Sequence, residues 1–255
     1  MNNSLTYYST GNSTPSHLFI HGFLGSSNQW ETLMNSCFKN TPTLSVDLYG
    51  HGNSKDLADY SIEDVATAIN QLLLELGINN IHLIGHSMGG YVGSAFAKAY
   101  PKQTASLTLI NSNTAADSLD RLHSRNRSIQ LVDAHKNAFV GMAISNLFQN
   151  QEREAHGNAI ELMKFQAKNI SVSSVKAAIL AMRDRPSCTS EMLDRNFTIH
   201  YIAGERDEII PLELIQKESI HLGARLTVIE SGHMSIITDA DALCTALSTG
   251  IRIQN

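Results

Sequence analysis

The sequence lacks long apolar segments and dense runs of basic residues. No stretch reaches the roughly eighteen consecutive apolar residues that a membrane-spanning helix requires. The 19 basic and 24 acidic residues leave a formal charge of -5, and no basic cluster could follow a nucleic-acid backbone or an anionic membrane. We therefore expect neither a membrane nor a nucleic acid as partner. Residues 1–7 contain no basic or apolar leader region, which favours a cytoplasmic location.

Cysteine is also scarce. Cys37, Cys188 and Cys244 are far apart and show none of the Cys-x-x-Cys or Cys/His spacings of zinc sites. We expect free, mostly buried thiols and no disulfide framework. A nucleophilic cysteine is the less favoured alternative, because none of the three follows a strand and opens a helix.

The composition is typical of a packed globular domain. Hydrophobic residues make up 42% of the 255-residue chain, which has room for one α/β domain with an insertion. Short apolar runs bounded by turn residues predict six buried strands. These runs are 17–20, 44–46, 81–84, 107–110, 199–202 and 226–229, and 5–9 is a candidate antiparallel edge strand.

Helical patterns alternate with these runs. Apolar residues within 62–76 recur at three- and four-residue spacings, with Ser61 as the amino-terminal cap and Gly77 at the end. Residues 88–100 are rich in small side chains and stop before Pro101. Because parallel strands need crossover connections, the alternation predicts an α/β fold with a doubly wound, mostly parallel sheet.

The alternation stops between residues 113 and 196. Apolar residues recur there at helical spacings, and no strand-like run occurs. A structureless loop of this length would be unusual inside a compact domain. We therefore predict a core made of residues 1–112 and 197–255, with an inserted helical cap over 113–196.

The segment Gly85-His86-Ser87-Met88-Gly89 follows a predicted strand and opens a predicted helix. In that setting Gly-x-Ser-x-Gly is typical of a nucleophile elbow, a sharp turn that exposes a serine hydroxyl. The glycines two residues before and after the serine leave room for the turn. We expect Ser87 to be a nucleophile, and a plain chain reversal is the alternative.

A serine nucleophile needs a base and a group that orients the base, in the chain order serine, acid, histidine for this architecture. Asp207 follows the fifth predicted buried strand and is the expected acid, with Glu205 and Glu208 as alternatives in the same loop. His233 follows the sixth strand on a short loop and is the expected base.

Backbone amides complete the expected site. The segment His21-Gly22-Phe23-Leu24-Gly25-Ser26 leaves the first predicted buried strand. Amides of such a turn can meet the amide after the nucleophile around a substrate oxyanion. We nominate the amides of Phe23 and Met88 as this oxyanion hole, and a simple glycine turn is the alternative.

Together these motifs resemble the α/β-hydrolase superfamily. The resemblance rests on His21-Gly22, the loop Asp47-Leu48-Tyr49-Gly50-His51-Gly52-Asn53-Ser54, the elbow, Asp207 and His233, and it covers nearly the whole chain outside the cap. It implies the α/β-hydrolase fold and a serine-centred activity like that of carboxylesterases, lipases, lactonases, C–C hydrolases or some lyases. It also implies that Asp47, His51 and Ser54 are structural.

The opening His-Gly-Phe-Leu-Gly-Ser is also similar to the menaquinone-pathway synthases, which are lyases on this fold. The elbow of those enzymes has the pattern Gly-x-Ser-x-Gly-Gly-Arg, whereas Tyr91 follows Gly90 in this chain. Cap arginines are candidates to replace the missing one: Arg121, Arg125, Arg127, Arg183 and Arg185. Cap methionines are expected mainly in helix packing, with a pliable acyl pocket as the alternative: Met142, Met163, Met182 and Met192.

The sequence thus predicts a serine hydrolase that cleaves a small-molecule carboxylic ester through an acyl-enzyme, with no metal and no cofactor. A lyase or C–C hydrolase on the same fold is the first alternative. A non-catalytic ligand-binding protein on this scaffold is the second. The natural substrate and the oligomeric state stay open at this stage.

Overall fold

The computed structural model describes residues 5–250. Residues 1–4 and 251–255, which the predicted core includes, lie outside the described residues. Within the described part, seven strands form one sheet. The strands are β1 (Tyr7–Thr10), β2 (His17–Ile20), β3 (Thr43–Val46), β4 (Ile81–His86), β5 (Thr104–Ile110), β6 (Thr198–Gly204) and β7 (Arg225–Ile229).

Helices occupy most of the connections between these strands. A short 3-10 turn at Ser27–Trp30 precedes the first helix. The α-helices are α1 (Glu31–Asn35), α2 (Ile62–Glu75), α3 (Met88–Ala99), α4 (Leu119–Ser145), α5 (Asn150–Ala155), α6 (Gly157–Ala167), α7 (Val172–Asp184), α8 (Leu212–His221), α9 (Ser235–Thr238) and α10 (Ala240–Gly250).

The sheet has the order β1-β3-β2-β4-β5-β6-β7. The edge strand β1 pairs antiparallel with β3, and every other pairing is parallel. This arrangement confirms the predicted mostly parallel sheet and its antiparallel edge strand. The parallel strands β2, β4, β5, β6 and β7 end at the same edge, so the loops that follow them lie side by side.

Two apolar layers hold the sheet between helices. Because side chains alternate along a strand, Leu18 and Ile20 of β2 join one buried cluster while Phe19 joins the other. The first cluster includes Val92 of α3 and also residues of α2, and the second includes Leu247 of α10 and residues of α1. Helices thus cover both faces, as a doubly wound sheet requires.

The predicted helix at 62–76 is present as α2. The Ser61 hydroxyl accepts a hydrogen bond from the Asp64 amide at 3.0 Å, and the Asp64 carboxylate accepts one from the Ser61 amide at 2.8 Å. These two bonds satisfy amides that a helix start leaves without partners. Gly77, with φ of 69°, follows the helix end in the left-handed region that favours glycine.

Between β5 and β6 the chain forms α4 to α7 and no strand. The long helix α4 changes direction at His135, whose φ of −149° and ψ of 57° interrupt the helix. Val140 of α4 and Val175 of α7 are buried in the same cluster as Ile110 of β5. The helices of this segment thus share a buried cluster with the sheet, and the division into a core and a cap over 113–196 stays a prediction.

The cysteines correct one expectation. Cys37 and Cys244 form a disulfide, with their Cα atoms 5.7 Å apart, whereas Cys188 is a free buried thiol as expected. Sequence reasoning missed the bond because the two cysteines are 207 positions apart and connectivity cannot be deduced from spacing alone. Disulfides are rare in reducing compartments, so the cytoplasmic location stays a prediction.

The length and hydrophobicity of the helices also bear on the sequence-based expectation on membranes. None of the helices within residues 5–250 is long and apolar enough to cross a membrane.

Candidate active site

Ser87 stands on the sharp turn between β4 and α3. Its φ of 51° and ψ of −118° lie in a region that non-glycine residues rarely adopt, so the surrounding structure must enforce this conformation. A Cβ at Gly85 would lie 2.6 Å from the Gly90 nitrogen, and one at Gly89 would lie 2.7 Å from the His21 carbonyl oxygen. Both glycines are therefore required by close packing, as the elbow motif predicts.

The structure brings Ser87, Asp207 and His233 together at the carboxyl edge of the sheet. His233 Nε2 lies 3.0 Å from Ser87 Oγ, and His233 Nδ1 lies 2.8 Å from Asp207 Oδ2. Because a carboxylate can only accept, Nδ1 carries the proton and donates to Asp207. Nε2 is then free to accept the hydrogen of the Ser87 hydroxyl.

Asp207 is buried and accepts four hydrogen bonds. Its Oδ1 accepts from the amides of Ile209 and Ile210 at 2.8 and 2.9 Å. Its Oδ2 accepts from His233 and from the Asn111 side-chain amide, each at 2.8 Å. Burial acts to raise the pKa of Asp207, but His233 and these donors outweigh it, so the pKa lies below its ordinary value. The two alternative acids of this loop do not bind His233. Glu205 and Glu208 are exposed and make no hydrogen bond to it.

The backbone of His233 contacts His86, the residue before Ser87. His86 Nε2 lies 2.9 Å from the His233 carbonyl oxygen, and the two rings are 5.1 Å apart. The carbonyl can only accept, so Nε2 of His86 is the protonated nitrogen. Burial, followed by repulsion from His233, lowers the pKa of His86 to about 3, which keeps its ring neutral.

Helix α5 and the residue before it contact the two loops that carry Asp207 and His233. Glu152 is almost fully buried and accepts a hydrogen bond from the Gly232 amide at 3.1 Å. Gln149 donates to the Arg206 carbonyl at 2.7 Å and accepts from the Arg206 side chain at 3.2 Å. The residues next to Asp207 and His233 are therefore tied to the same short helix.

The nominated amides lie close to the elbow. A Cβ at Gly22 would lie 3.3 Å from the Ser87 Cβ, so the loop that carries Phe23 packs directly against the serine. Met88 is the first residue of α3, where a helix leaves its amides without partners. Neither the Phe23 nor the Met88 amide donates to another of the described residues. Their use as an oxyanion hole stays a prediction.

Side chains of the loop after β3 hold neighbouring loops together. The Asp47 carboxylate accepts from the Ser27 amide at 2.7 Å and from the Asn53 amide at 2.9 Å, and the Ser54 hydroxyl donates to the Asp47 carbonyl at 2.6 Å. His51 is buried and its Nδ1 lies 2.8 Å from the Tyr49 carbonyl oxygen. These side chains tie neighbouring loops together and do not contact Ser87.

A cavity of about 340 Å³ opens beside Ser87 and His233. Of the predicted cap residues, two arginines and three methionines line it: Arg121, Arg125, Met142, Met163 and Met182. Arg127, Arg183, Arg185 and Met192 do not line it. The other lining side chains include Phe23, Phe139 and Leu147, so the cavity combines an apolar surface with two guanidinium groups.

Within residues 5–250, no group of three or more His, Cys, Asp or Glu side chains is arranged to hold a metal ion. The buried histidines near the site are instead engaged with backbone groups: His21 Nδ1 lies 2.8 Å from the Gly22 carbonyl oxygen, and its Nε2 accepts from the Leu48 amide.

A family model described as the alpha/beta hydrolase fold matches residues 18–240 of this chain. A monoacylglycerol lipase of Xenopus laevis is 38% identical over 100 residues, which cover 38% of this chain and 30% of the lipase. The chain thus spans less than a third of the length of that curated relative. A 2-succinyl-6-hydroxy-2,4-cyclohexadiene-1-carboxylate synthase of Escherichia coli O1:K1 / APEC is 24% identical over 203 residues, 74% of this chain and 77% of the synthase.

Solved structures resemble the chain over nearly its whole length. A thermophilic esterase from Thermogutta terrifontis, with malate bound, has a TM-score of 0.89 at 25% identity and covers 96% of this chain and 92% of its own. An enol-lactonase from Burkholderia xenovorans LB400 has a TM-score of 0.87 at 18% identity, with 96% and 94% covered. At such identity the enol-lactonase is similar in fold alone.

Proposed function

Because this chain belongs to the alpha/beta hydrolase fold family, we propose that it is a serine hydrolase that cleaves a small carboxylic ester through an acyl-enzyme. The observation that carries the proposal is the pair of contacts made by His233, 3.0 Å to Ser87 Oγ and 2.8 Å to Asp207 Oδ2, at the wall of a cavity. The esterase and lipase among the similar proteins support the same reaction class.

In the first step His233 acts as the base. Its Nε2 removes the Ser87 proton as Oγ attacks the ester carbonyl carbon, and Asp207 stabilises the imidazolium that forms. The carbonyl oxygen becomes an oxyanion, and in this proposal the amides of Phe23 and Met88 donate hydrogen bonds to it. Such a hole contributes roughly 3 kcal/mol per donor in other serine enzymes.

In the second step His233 returns a proton. The imidazolium protonates the departing alkoxide, which leaves as an alcohol, and the acyl group remains on Ser87. Water then enters, gives its proton to Nε2 and attacks the acyl carbon. The second tetrahedral intermediate collapses to the carboxylic acid, and Ser87 regains its hydrogen. Apart from this water molecule, the sequence uses only groups of the protein and the substrate.

The replacement Ser87→Ala tests the nucleophile. We expect kcat/KM for 4-nitrophenyl acetate to fall by at least about three orders of magnitude, because the acyl-enzyme cannot form. Fluorophosphonate labelling, read by intact mass, should be lost in the same variant. Ser190→Ala, which changes an exposed serine outside the cavity, is the matched control and should keep both. Undiminished turnover in Ser87→Ala would remove Ser87 from the mechanism.

A second candidate is a lyase reaction, favoured by the match to the Escherichia coli synthase over 74% of this chain. A lyase would use His233 for proton abstraction and would leave no acyl group on Ser87. Rapid acid quenching during turnover of a slow ester, followed by mass spectrometry, separates the two. An acyl mass on the Ser87 peptide is expected for the hydrolase, and its absence during Ser87-dependent turnover supports the lyase.

A further inference from the structure

Three arginines surround one buried carboxylate at the base of the cap segment. The Asp117 side chain is fully buried, and Arg185 Nη1 and Arg125 Nε lie 2.8 and 3.1 Å from its oxygens. Arg121 Nε lies 3.7 Å away. One carboxylate cannot neutralise three guanidinium groups, so this cluster carries an excess of positive charge.

The Arg185 guanidinium makes its contacts inside the protein. It is buried, donates to the carbonyls of Met182 and Ala115 as well as to Asp117, and stacks 3.6 Å above the Tyr91 ring. The charges of Arg185 and Asp117 therefore compensate each other within the protein. Burial acts to raise the pKa of Asp117, but Arg125 and Arg185 outweigh it and keep the carboxyl ionised.

Arg121 and Arg125 keep donors that the protein does not use. Arg125 donates through Nε alone, and its two terminal nitrogens have no hydrogen-bond partner among the described residues. Arg121 donates through Nη1 to the Ile209 carbonyl, and its Nη2 has no partner there either. The excess charge of the cluster thus resides on guanidinium edges that are free to bind a ligand.

These free edges lie at the cavity that contains the nucleophile. Arg121, Ser124, Arg125 and Ser128 occupy positions i, i+3, i+4 and i+7 on α4, so they share one face of the helix. All four line the cavity beside Ser87 and His233. Among the described residues that line the cavity, only Glu208 carries a carboxylate, and it is exposed.

We propose that Arg121 and Arg125 bind a free carboxylate of the substrate, so that the enzyme acts on esters that carry a second, ionised acid group. This inference rests on the proposed ester hydrolysis. A planar guanidinium matches the two oxygens of a carboxylate, and the hydroxyls of Ser124 and Ser128 add neutral donors. The apolar part of the lining, which includes Phe139, receives the carbon skeleton between the two groups.

Matched ester pairs test the proposal. In the acyl pair, 4-nitrophenyl hydrogen glutarate is compared with its methyl ester, and in the alcohol pair 4-acetoxybenzoate is compared with its methyl ester. Each kcat/KM is divided by the rate of alkaline hydrolysis, which removes intrinsic reactivity. We expect the carboxylate form to be preferred about tenfold or more in at least one pair, because charge-assisted hydrogen bonds are strong in a partly buried site.

The arginine variants assign the preference to this cluster. Arg121→Gln and Arg125→Gln should each bring the ratio of the two kcat/KM values close to one, because glutamine keeps a donor but loses the charge. Arg127→Gln, on the same helix but outside the cavity, is the control and should keep the wild-type ratio. Equal normalised kcat/KM values for the carboxylate and its methyl ester in both pairs of the wild type overturn the proposal. A carboxylate preference that persists in both Arg121→Gln and Arg125→Gln overturns it as well.

A binding measurement separates this inference from the proposed hydrolysis. Calorimetry on Ser87→Ala, with and without Arg125→Gln, compares 4-acetoxybenzoate with its methyl ester. If no ester is hydrolysed but 4-acetoxybenzoate binds through Arg125, the carboxylate site stands and the hydrolase proposal fails. If Ser87-dependent hydrolysis occurs without any carboxylate preference, the hydrolase proposal stands and this inference fails. If neither hydrolysis nor Arg125-dependent binding occurs, both fail.

Discussion

Asn111 follows β5 in a backbone conformation that few side chains adopt, with φ of 48°. Its amide nitrogen donates to Asp207 Oδ2 at 2.8 Å and to the Gly232 carbonyl at 3.2 Å, and its oxygen accepts from the Ser235 hydroxyl at 3.0 Å. One neutral side chain therefore joins the acid, the loop before the base and the helix after it.

The replacement Asn111→Gly removes these bonds while allowing the same φ. We expect kcat to fall by about ten- to a hundredfold with little change in KM, because Asp207 and the Gly232 carbonyl lose a buried donor while the cavity lining is untouched. Steady-state kinetics on 4-nitrophenyl acetate measures both constants. A rise in KM at constant kcat would contradict a positioning role for Asn111.

The convergence of Ser87, Asp207 and His233 could be predicted because each of the three follows a strand. Position after a strand places a residue at the carboxyl edge of the sheet, and this rule identified Ser87, Asp207 and His233. Asn111 obeys the same rule but was not predicted as a partner of Asp207, because the predicted site consisted of a nucleophile, an acid and a base and had no place for a neutral amide. An amide donor at that position is the signal that could have found it.

At the scale of one element, α5 is small but well placed. Gln149 caps its amino terminus, and both Gln149 and Glu152 reach the loops that follow β6 and β7. The Gly232 amide is buried, and Glu152 is its acceptor. A buried amide that loses its acceptor costs about 1–3 kcal/mol, so this contact restrains the loop that carries His233.

The replacement Glu152→Ala should loosen that loop. We expect faster hydrogen exchange at residues 231–234 and a fall in kcat of about tenfold, because the Gly232 amide loses its only carboxylate acceptor. Glu154→Ala, an exposed neighbour on the same helix, is the control. Equal exchange in Glu152→Ala and Glu154→Ala would mean that α5 does not restrain the loop.

Elements were predictable where their patterns are strong. Helix α2 has an amphipathic repeat and a capping residue, and most of the central strands are apolar runs, so local sequence is enough to predict them. Helix α5 has the sequence Asn-Gln-Glu-Arg-Glu-Ala, without an apolar repeat, and only its tertiary contacts give it a role. Which faces of the helices in 113–196 line the cavity also depends on tertiary contacts. These faces could therefore not be predicted from the sequence.

Across the whole molecule, histidine burial sets a response to acid. Burial is the main cause that lowers the pKa of six histidines: His17 and His200 to about 4, His21 and His86 to about 3, and His51 and His82 in direction. In the unfolded chain these groups take up protons near pH 6.5. Between about pH 6.5 and 4 the unfolded state therefore binds more protons than the folded state.

The free energy of unfolding should consequently fall as the pH is lowered from 7 to 5. Each such histidine contributes a slope of up to about 1.4 kcal/mol per pH unit once its unfolded form is protonated. Urea unfolding at pH 7, 6 and 5 measures the slope. His200→Gln should reduce it by about one proton, and His123→Gln, an exposed position on α4, is the control. Equal urea midpoints at pH 7 and pH 5 would rule out this linkage.

The bond between Cys37 and Cys244 turns residues 37–244 into a covalent ring with two short tails. Ser87, Asp207 and His233 all belong to the ring, whereas Phe23 belongs to a tail. A single protease cut in any loop of the ring opens it without releasing a fragment, so the nicked protein migrates as one species until a thiol reductant separates it. New chain ends could therefore be opened inside the ring while the bond between Cys37 and Cys244 keeps the two segments that flank the ring joined to each other.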